Sequence, residues 1–284
     1  MDVFPAEYDL PIPPEPALQR HVGVVAPFDL ALDRELWRWT PDDISLHLAR
    51  TPYSPLHVGV ELAATISDAG DVRDATRILT PLEPEVVAYA CTSGSFVGGL
   101  AGEDAVRRAM CDGGAPKAVT ASGALLAALA EVGAGRIAIA TPYVSDVTDL
   151  LCGFLEEAGV ETVSRTDLRL EGRIWTVPYE QTQELIIATD HVDAEAIFVS
   201  CTNLATYDLI PRVEAALGKP VLSANQVTMW AALAAIGRTA VGPTQRLLDR
   251  GTNSVANAPR LRRWISVRRG WRAEKTWSDR SPAR

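Results

Sequence analysis

Two cysteines stand where chemistry is easily built. Cys91 follows the apolar run EVVAYA and opens CTSGS; Cys201 follows AIFVS and opens CTNLA. Hydroxyl or amide residues come directly behind each: Thr92, Ser93 and Ser95 after the first, Thr202 and Asn203 after the second. In open α/β sheets, ligands sit beyond the carboxyl ends of strands, beside the N-termini of the next helices. Backbone N–H groups there, with the hydroxyls, make a nest for a carboxylate. The same helix-end field is expected to lower a thiol's pKa and supply thiolate near neutral pH. A thiolate removes a proton from carbon or adds to a double bond, and a thiol returns a proton. Cys111 and Cys152 fall within helical patterns and are read as buried space-filling residues.

Two further blocks fall at equivalent strand ends. Pro142-Tyr143 in ATPYVSDV places the Tyr143 hydroxyl to reach a cleft as a donor. Pro27-Phe28-Asp29 is the earlier counterpart. Asp29 would repel a carboxylate, so it is expected to bind a substrate ammonium or to point away. Ser223 and Asn225 end another strand and Ser122 matches them in the first half; cleft lining and helix capping both stay open. Arg50 has two readings, a salt bridge to a substrate carboxylate or an ordinary surface arginine. His21, His47, His57 and His191 have no apparent partners and read as structural or surface residues. Residues 36–39 (LWRW), with Asp42 and Asp43, suit either a lid or, more simply, a packed surface helix.

The elements that must position these groups alternate. Strands are expected at 21–26, 44–49, 85–90, 117–120, 136–141, 161–168, 196–200 and 220–222. Helices are expected at 58–69, 103–110, 123–132, 144–157, 182–190, 207–217 and 226–236. Alternation at these lengths implies a mainly parallel sheet with helices on both faces. The pattern also restarts. VVAPFD precedes IATPYV by about 115 positions, YACTSGS precedes VSCTNLA by 110, and APKAVTASGALLAAL precedes GKPVLSANQVTMWAAL by about 102. Three matched blocks in one order imply a duplicated α/β unit. A pseudo-twofold between the halves would face Cys91 and Cys201 across one cleft.

The organisation that follows is a Pro-rich N-terminal arm (1–20), an N-terminal α/β half carrying Cys91 (21–135), a C-terminal half carrying Cys201 (136–250) and a basic C-terminal tail (251–284). That tail holds nine Lys and Arg against two acids within a chain of net charge −9, so the remainder is strongly acidic. An acidic body disfavours nucleic acid as the main partner. It also requires that an anionic substrate be trapped locally by N–H and hydroxyl donors. The tail has two readings, packing against the acidic body or a partner subunit and disorder of its last dozen residues, and a homodimer is admitted. The four cysteines show no CxxC spacing and no His at ligand-like intervals, so no metal is expected. Neither a basic-then-apolar leader nor a bilayer-length apolar run is found, and a cytoplasmic location with reduced thiols is expected.

Over roughly residues 20–250 the chain resembles the aspartate/glutamate racemase superfamily, in its maleate isomerase and arylmalonate decarboxylase branch. YACTSGSFVGG (89–99), ATPYVSDV (140–147), FVSCTNLATYDLI (198–210) and GKPVLSANQVTMWAAL (218–233) carry the resemblance. The ectoine-utilisation protein A group looks nearest, through the CTSGS and SCTN blocks. The resemblance implies two Rossmann-like halves with the active site between them and no cofactor. It implies that Cys91 and Cys201 are the catalytic thiols, and that Thr92, Ser93, Tyr143 and the backbone of Thr202 hold a small carboxylate. Decarboxylase-like members carry glycine at the first cysteine position, so two cysteines point to a maleate-type cis–trans isomerase or an amino-acid racemase or epimerase. A decarboxylase using Cys201 alone, and a non-catalytic small-acid binding protein, are the alternatives. Maleate isomerases usually place Asn after the first-strand proline, whereas Pro27-Phe28-Asp29 has none, which argues against maleate itself.

Overall fold

The computed structural model describes residues 18–249. The Pro-rich arm and the basic tail read from the sequence fall almost wholly outside that span. Eight strands form two four-stranded sheets, every pairing parallel. The first holds β1 (Arg20–Ala26), β2 (Ile44–Arg50), β3 (Val86–Tyr89) and β4 (Ala118–Thr120), in the order β2-β1-β3-β4. The second holds β5 (Arg136–Thr141), β6 (Glu161–Asp167), β7 (Ala196–Val199) and β8 (Val221–Ser223), in the order β6-β5-β7-β8. The two orders are the same when counted from each half's first strand, which gives the sequence restart its structural meaning. The central strands β3 and β7 are buried along their whole length, as strands covered on both faces must be.

Helices α1 (Asp33–Trp37), α2 (Val60–Ile66), α3 (Ala69–Leu79), α4 (Thr92–Phe96), α5 (Gly99–Asp112) and α6 (Ala121–Val132) belong to the first half. In the second half lie α7 (Ser145–Glu157), α8 (Tyr179–Thr189), α9 (Ile210–Leu217) and α10 (Ala224–Ala235). The equivalent helices α6 and α10, each following the last strand of its half, pack on one another. Both are rich in alanine, and small side chains let their axes approach closely. One apolar core runs through that contact from Val22 and Val86 to Ile197 and Leu222. None of the described helices is long and apolar enough to cross a membrane.

Two expectations are corrected, and for residues 36–39 the simpler of two readings holds. The helix expected at 58–69 is α2 alone, and a second helix, α3, follows it; Asp68 caps α3 by accepting from the N–H groups of Gly70 (2.8 Å) and Asp71 (3.0 Å). The 36–39 segment is not a lid. Trp39 is fully buried, its indole N–H donates to Gln245 (3.0 Å), and its ring lies 4.8 Å from that of Tyr207. His21 and His47 are not partnerless: their Nδ1 and Nε2 atoms lie 2.7 Å apart on adjacent strands.

Candidate active site

Cys91 follows β3 by two residues, at the N-cap of α4. Its Sγ accepts from the Gly94 N–H at 3.4 Å, and the Ser93 hydroxyl lies 3.7 Å away. Glycine is needed at 94 by close approach. A Cβ there would lie 2.4 Å from the Tyr89 hydroxyl and 3.3 Å from the cysteine sulfur. Behind the thiol, Ser95 donates to the Thr92 carbonyl (2.9 Å) and pairs with Ser122 (2.7 Å), so these two serines brace α4 and do not face the site. The Thr92 hydroxyl is buried without a partner among the described residues. An orphaned buried hydroxyl costs stability unless something polar reaches it.

Cys201 follows β7 by two residues, and there the chain departs from the sequence reading. No helix opens behind it; a turn runs on, and α9 starts only at Ile210. Cys201 adopts φ +89°, a region that non-glycine residues enter at a cost of about 1–3 kcal/mol. Its Sγ accepts from the Asn203 N–H at 3.4 Å; the Tyr143 hydroxyl, which accepts from Ser200 (3.3 Å), faces the same cavity. The Thr202 hydroxyl donates to the Ala90 carbonyl (3.2 Å), tying the two cysteine loops together.

One small cavity between the halves, of about 40 Å³, is lined by Cys91, Thr92 and Ser93 from the first loop and Cys201, Thr202 and Asn203 from the second. Tyr143, Pro27 and Asp29 complete the set of polar or loop residues nominated from sequence, and all nine meet there. Val58, Leu62, Ala63, Val147 and Ile174 form the apolar wall. No Lys, Arg or His lines it among the described residues, and no described His, Cys, Asp and Glu cluster suits a metal ion.

Burial dominates the electrostatics. It pushes the Cys91 thiol up to about 11 and the Cys201 thiol up to about 12. The Gly94 N–H and Ser93 hydroxyl at the first, and the Asn203 N–H and Tyr143 hydroxyl at the second, pull the other way but are outweighed. The charge of Asp29 raises both thiols further, and the carboxyl of Asp29 is itself raised by burial. The expected thiolate at neutral pH is therefore corrected: both sulfurs rest as thiols. A helix of five residues behind Cys91, and none behind Cys201, supplies too little field to offset desolvation.

The model of the arylmalonate decarboxylase family matches residues 66–248. The chain belongs to this family. Arylmalonate decarboxylase of Bordetella bronchiseptica is 32% identical over 179 residues, covering 58% of this chain and 71% of that protein. Maleate isomerase of Pseudomonas putida is 28% identical over 191 residues, covering 64% and 75%. A crystal structure of a liganded arylmalonate decarboxylase carrying glycine-to-cysteine and cysteine-to-serine changes superposes with TM-score 0.75 at 28% identity, covering 81% of this chain and 99% of that one.

Within this family member, other sequence candidates fall outside the cavity. Arg50 donates to the carbonyls of Leu30 (2.9 Å), Pro27 (3.3 Å) and Phe28 (3.3 Å); it shapes the first-strand loop and does not face the cavity. Ser223 caps α10 in a capping box with Gln226. Cys111 is exposed on α5, not buried as expected, and Cys152 is half-buried. Glu35 was missed altogether. Lying directly ahead of LWRW at the end of a charged DRE run, it reads as surface charge, yet it is only 7% exposed and bonded to the second half.

Proposed function

We propose that this protein is an isomerase of a small carboxylic acid that works with its own side chains alone. Cys91 and Cys201 are the reacting thiols of this reading. The observation that carries it is the single cavity in which both cysteines and their hydrogen-bond donors meet. A substrate carboxylate accepts from the Thr92 and Ser93 hydroxyls and from backbone N–H groups around Thr202. One sulfur, as thiolate, takes the α-proton and becomes a thiol; the other, as thiol, gives its proton to the opposite face and becomes the thiolate. Charge and protons balance, and the configuration at carbon inverts. On an unsaturated diacid the same pair runs the maleate-type course: thiolate adds to one alkene carbon, the adduct rotates, and sulfur leaves. The donors beside each sulfur are placed before reaction to receive the negative charge, as stabilisation by preorganised dipoles requires.

The presence of both maleate isomerase and arylmalonate decarboxylase among the relatives supports this reaction class. Asp29 in the cavity weighs against maleate, because a dianion would meet a carboxyl and no cation. An epimerase role in ectoine breakdown stays attached to the CTSGS and SCTN blocks alone. The family description favours one second reading, a decarboxylase relying on Cys201.

Deuterium incorporation from heavy water into a panel of small carboxylates, with maleate-to-fumarate conversion followed in parallel, tests the proposal. Isomerisation or exchange that falls at least about a thousandfold in both Cys91→Gly and Cys201→Ser supports it. Loss in Cys201→Ser with activity kept in Cys91→Gly selects the decarboxylase. No turnover of any acid by the wild type leaves a small-acid binding protein.

A further inference from the structure

A carboxylate from the first half holds the backbone of the second half's cysteine loop. Glu35 on α1 accepts from the N–H groups of Thr206 (2.6 Å) and Tyr207 (2.7 Å) through one oxygen. Its other oxygen accepts from the side-chain amide of Asn225 (2.6 Å), at the start of α10. The second hydrogen of that same amide goes to the carbonyl of Thr202 (3.0 Å), the residue directly after Cys201. One carboxylate thus grips both ends of the 202–207 turn. Within the turn, Asn203 donates to the Asp29 carbonyl (3.0 Å) and accepts from the Ala31 N–H (2.8 Å), so the 29–35 segment is a template for the turn.

That turn has something to be held against. Cys201 carries the positive φ of +89°, a conformation that persists only where its surroundings over-determine it. A buried carboxylate is costly unless every lone pair is used, and here neutral donors use them. An apolar residue would fill the same space; what it would not do is orient Thr202.

We propose that Glu35, through Asn225, is a positioning residue for Cys201, fixing the strained turn that aims this thiol into the cavity. The inference rests on the reading of Cys201 as a reacting thiol. Glu35 touches neither the cavity nor the sulfur. Its burial in a contact between the halves also couples the position of Cys201 to the first half, which carries Cys91.

Substitution Glu35→Gln tests this. The Gln carbonyl keeps the Thr206 and Tyr207 bonds, but its NH2 group then faces the NH2 of Asn225. The Asn225 side chain must turn over, and the Thr202 carbonyl loses its donor. Asn225→Ala removes the same tether while sparing the bonds from Glu35 to the turn, and it carries the test alone if Glu35→Gln does not fold. The full-length protein, without substrate, is alkylated with iodoacetamide at pH 8, and each cysteine is followed by peptide mass spectrometry beside a thermal melt. A released turn exposes the half-buried Cys201 further and lets its pKa fall, so its alkylation accelerates at least about tenfold, because rate follows thiolate fraction and access. Cys91 stays within about twofold, and the double variant adds nothing to either single one.

A folded variant whose Cys201 reacts at the wild-type rate overturns the proposal, as does an equal change at both thiols, which marks general loosening. Failure of the isomerase reading would show separately, as turnover surviving in Cys201→Ser.

Discussion

The Thr202 hydroxyl donates to the Ala90 carbonyl at 3.2 Å, joining the residue after one candidate thiol to the residue before the other. Thr202 and Ala90 lie 112 positions apart in the chain, so this bond sets the relative height of the two cysteine loops across the cleft. Replacing Thr202 by Val keeps the volume and removes the donor. We expect a loss of about 1–3 kcal/mol, since the Ala90 carbonyl stays buried. Chemical denaturation measures it, and an unchanged midpoint with unchanged slope would sink the expectation.

The pH dependence follows from the raised thiols. Their folded values of about 11 and about 12 lie above the ordinary 9.0, so the folded state holds protons that the unfolded chain releases. The stabilising contribution is fully present below pH 9 and is lost as pH climbs through the folded values. The slope approaches about 1.4 kcal/mol per pH unit for each thiol. Melting temperatures from pH 8 to 11 should fall more steeply in the wild type than in a Cys91→Ser, Cys201→Ser double variant. Parallel curves would contradict the raised pKa of the two thiols.

The same shift acts on activity. With both sulfurs protonated at rest, the reactive thiolate is scarce near neutrality, and kcat/KM should rise through pH 9 without a plateau below it. A profile already flat from pH 7 upward would mean that a thiolate exists in the free enzyme.

Much of the architecture was readable because its signals are local. Apolar runs such as RIAIAT and AIFVS, stopped by Pro or followed by Cys, read as buried strands by their length and flanks, and three matched blocks pointed to the duplication. The nine cavity residues could be nominated because strand ends are where parallel sheets leave backbone donors free. What escaped has one cause: its meaning is tertiary. Glu35 looks like any acid in a charged stretch until Thr206, Tyr207 and Asn225 arrive from about 170–190 positions away. The left-handed turn at Cys201 is invisible in SCTNLA, since no glycine announces it. Helix α3 was overlooked because Asp68, Gly70 and Asp71 look like a loop, although Asp68 is its cap.

Asp29 sets the next expectation. Its carboxyl shares the cavity with both thiols; Arg50, bonded to backbone carbonyls outside the cavity, is near enough for its charge to lower the Asp29 pKa, but burial outweighs it. Asp29→Asn removes a negative charge that opposes a second carboxylate, at similar size. The KM for dicarboxylates should fall by about tenfold or more relative to that for amino acids, about 1.4 kcal/mol of differential interaction. Competition assays with paired mono- and dicarboxylates measure the ratio. An unchanged ratio would place Asp29 outside the recognition of substrate charge.

Tyr143 carries the last expectation. Its hydroxyl is buried, accepts from Ser200 at 3.3 Å and shares the cavity with Cys201, whose pKa it lowers, and burial holds the phenol well above its ordinary pKa. It is therefore a donor throughout the working range and never a base. Donation to sulfur matters most when sulfur is negative, which is the state that takes a proton or attacks carbon. Tyr143→Phe leaves the ring in place, 6.3 Å from that of Phe96, and removes only this donor. A charge-assisted hydrogen bond lost from a buried anion is worth about 1.5–3 kcal/mol, so kcat should drop by about ten- to a hundredfold. The Cys201 thiol should titrate higher still, moving the alkaline rise in kcat/KM upward, while Cys91 alkylation keeps its pH profile. If the variant lowers activity without displacing that rise, the hydroxyl acts on the substrate and not on Cys201.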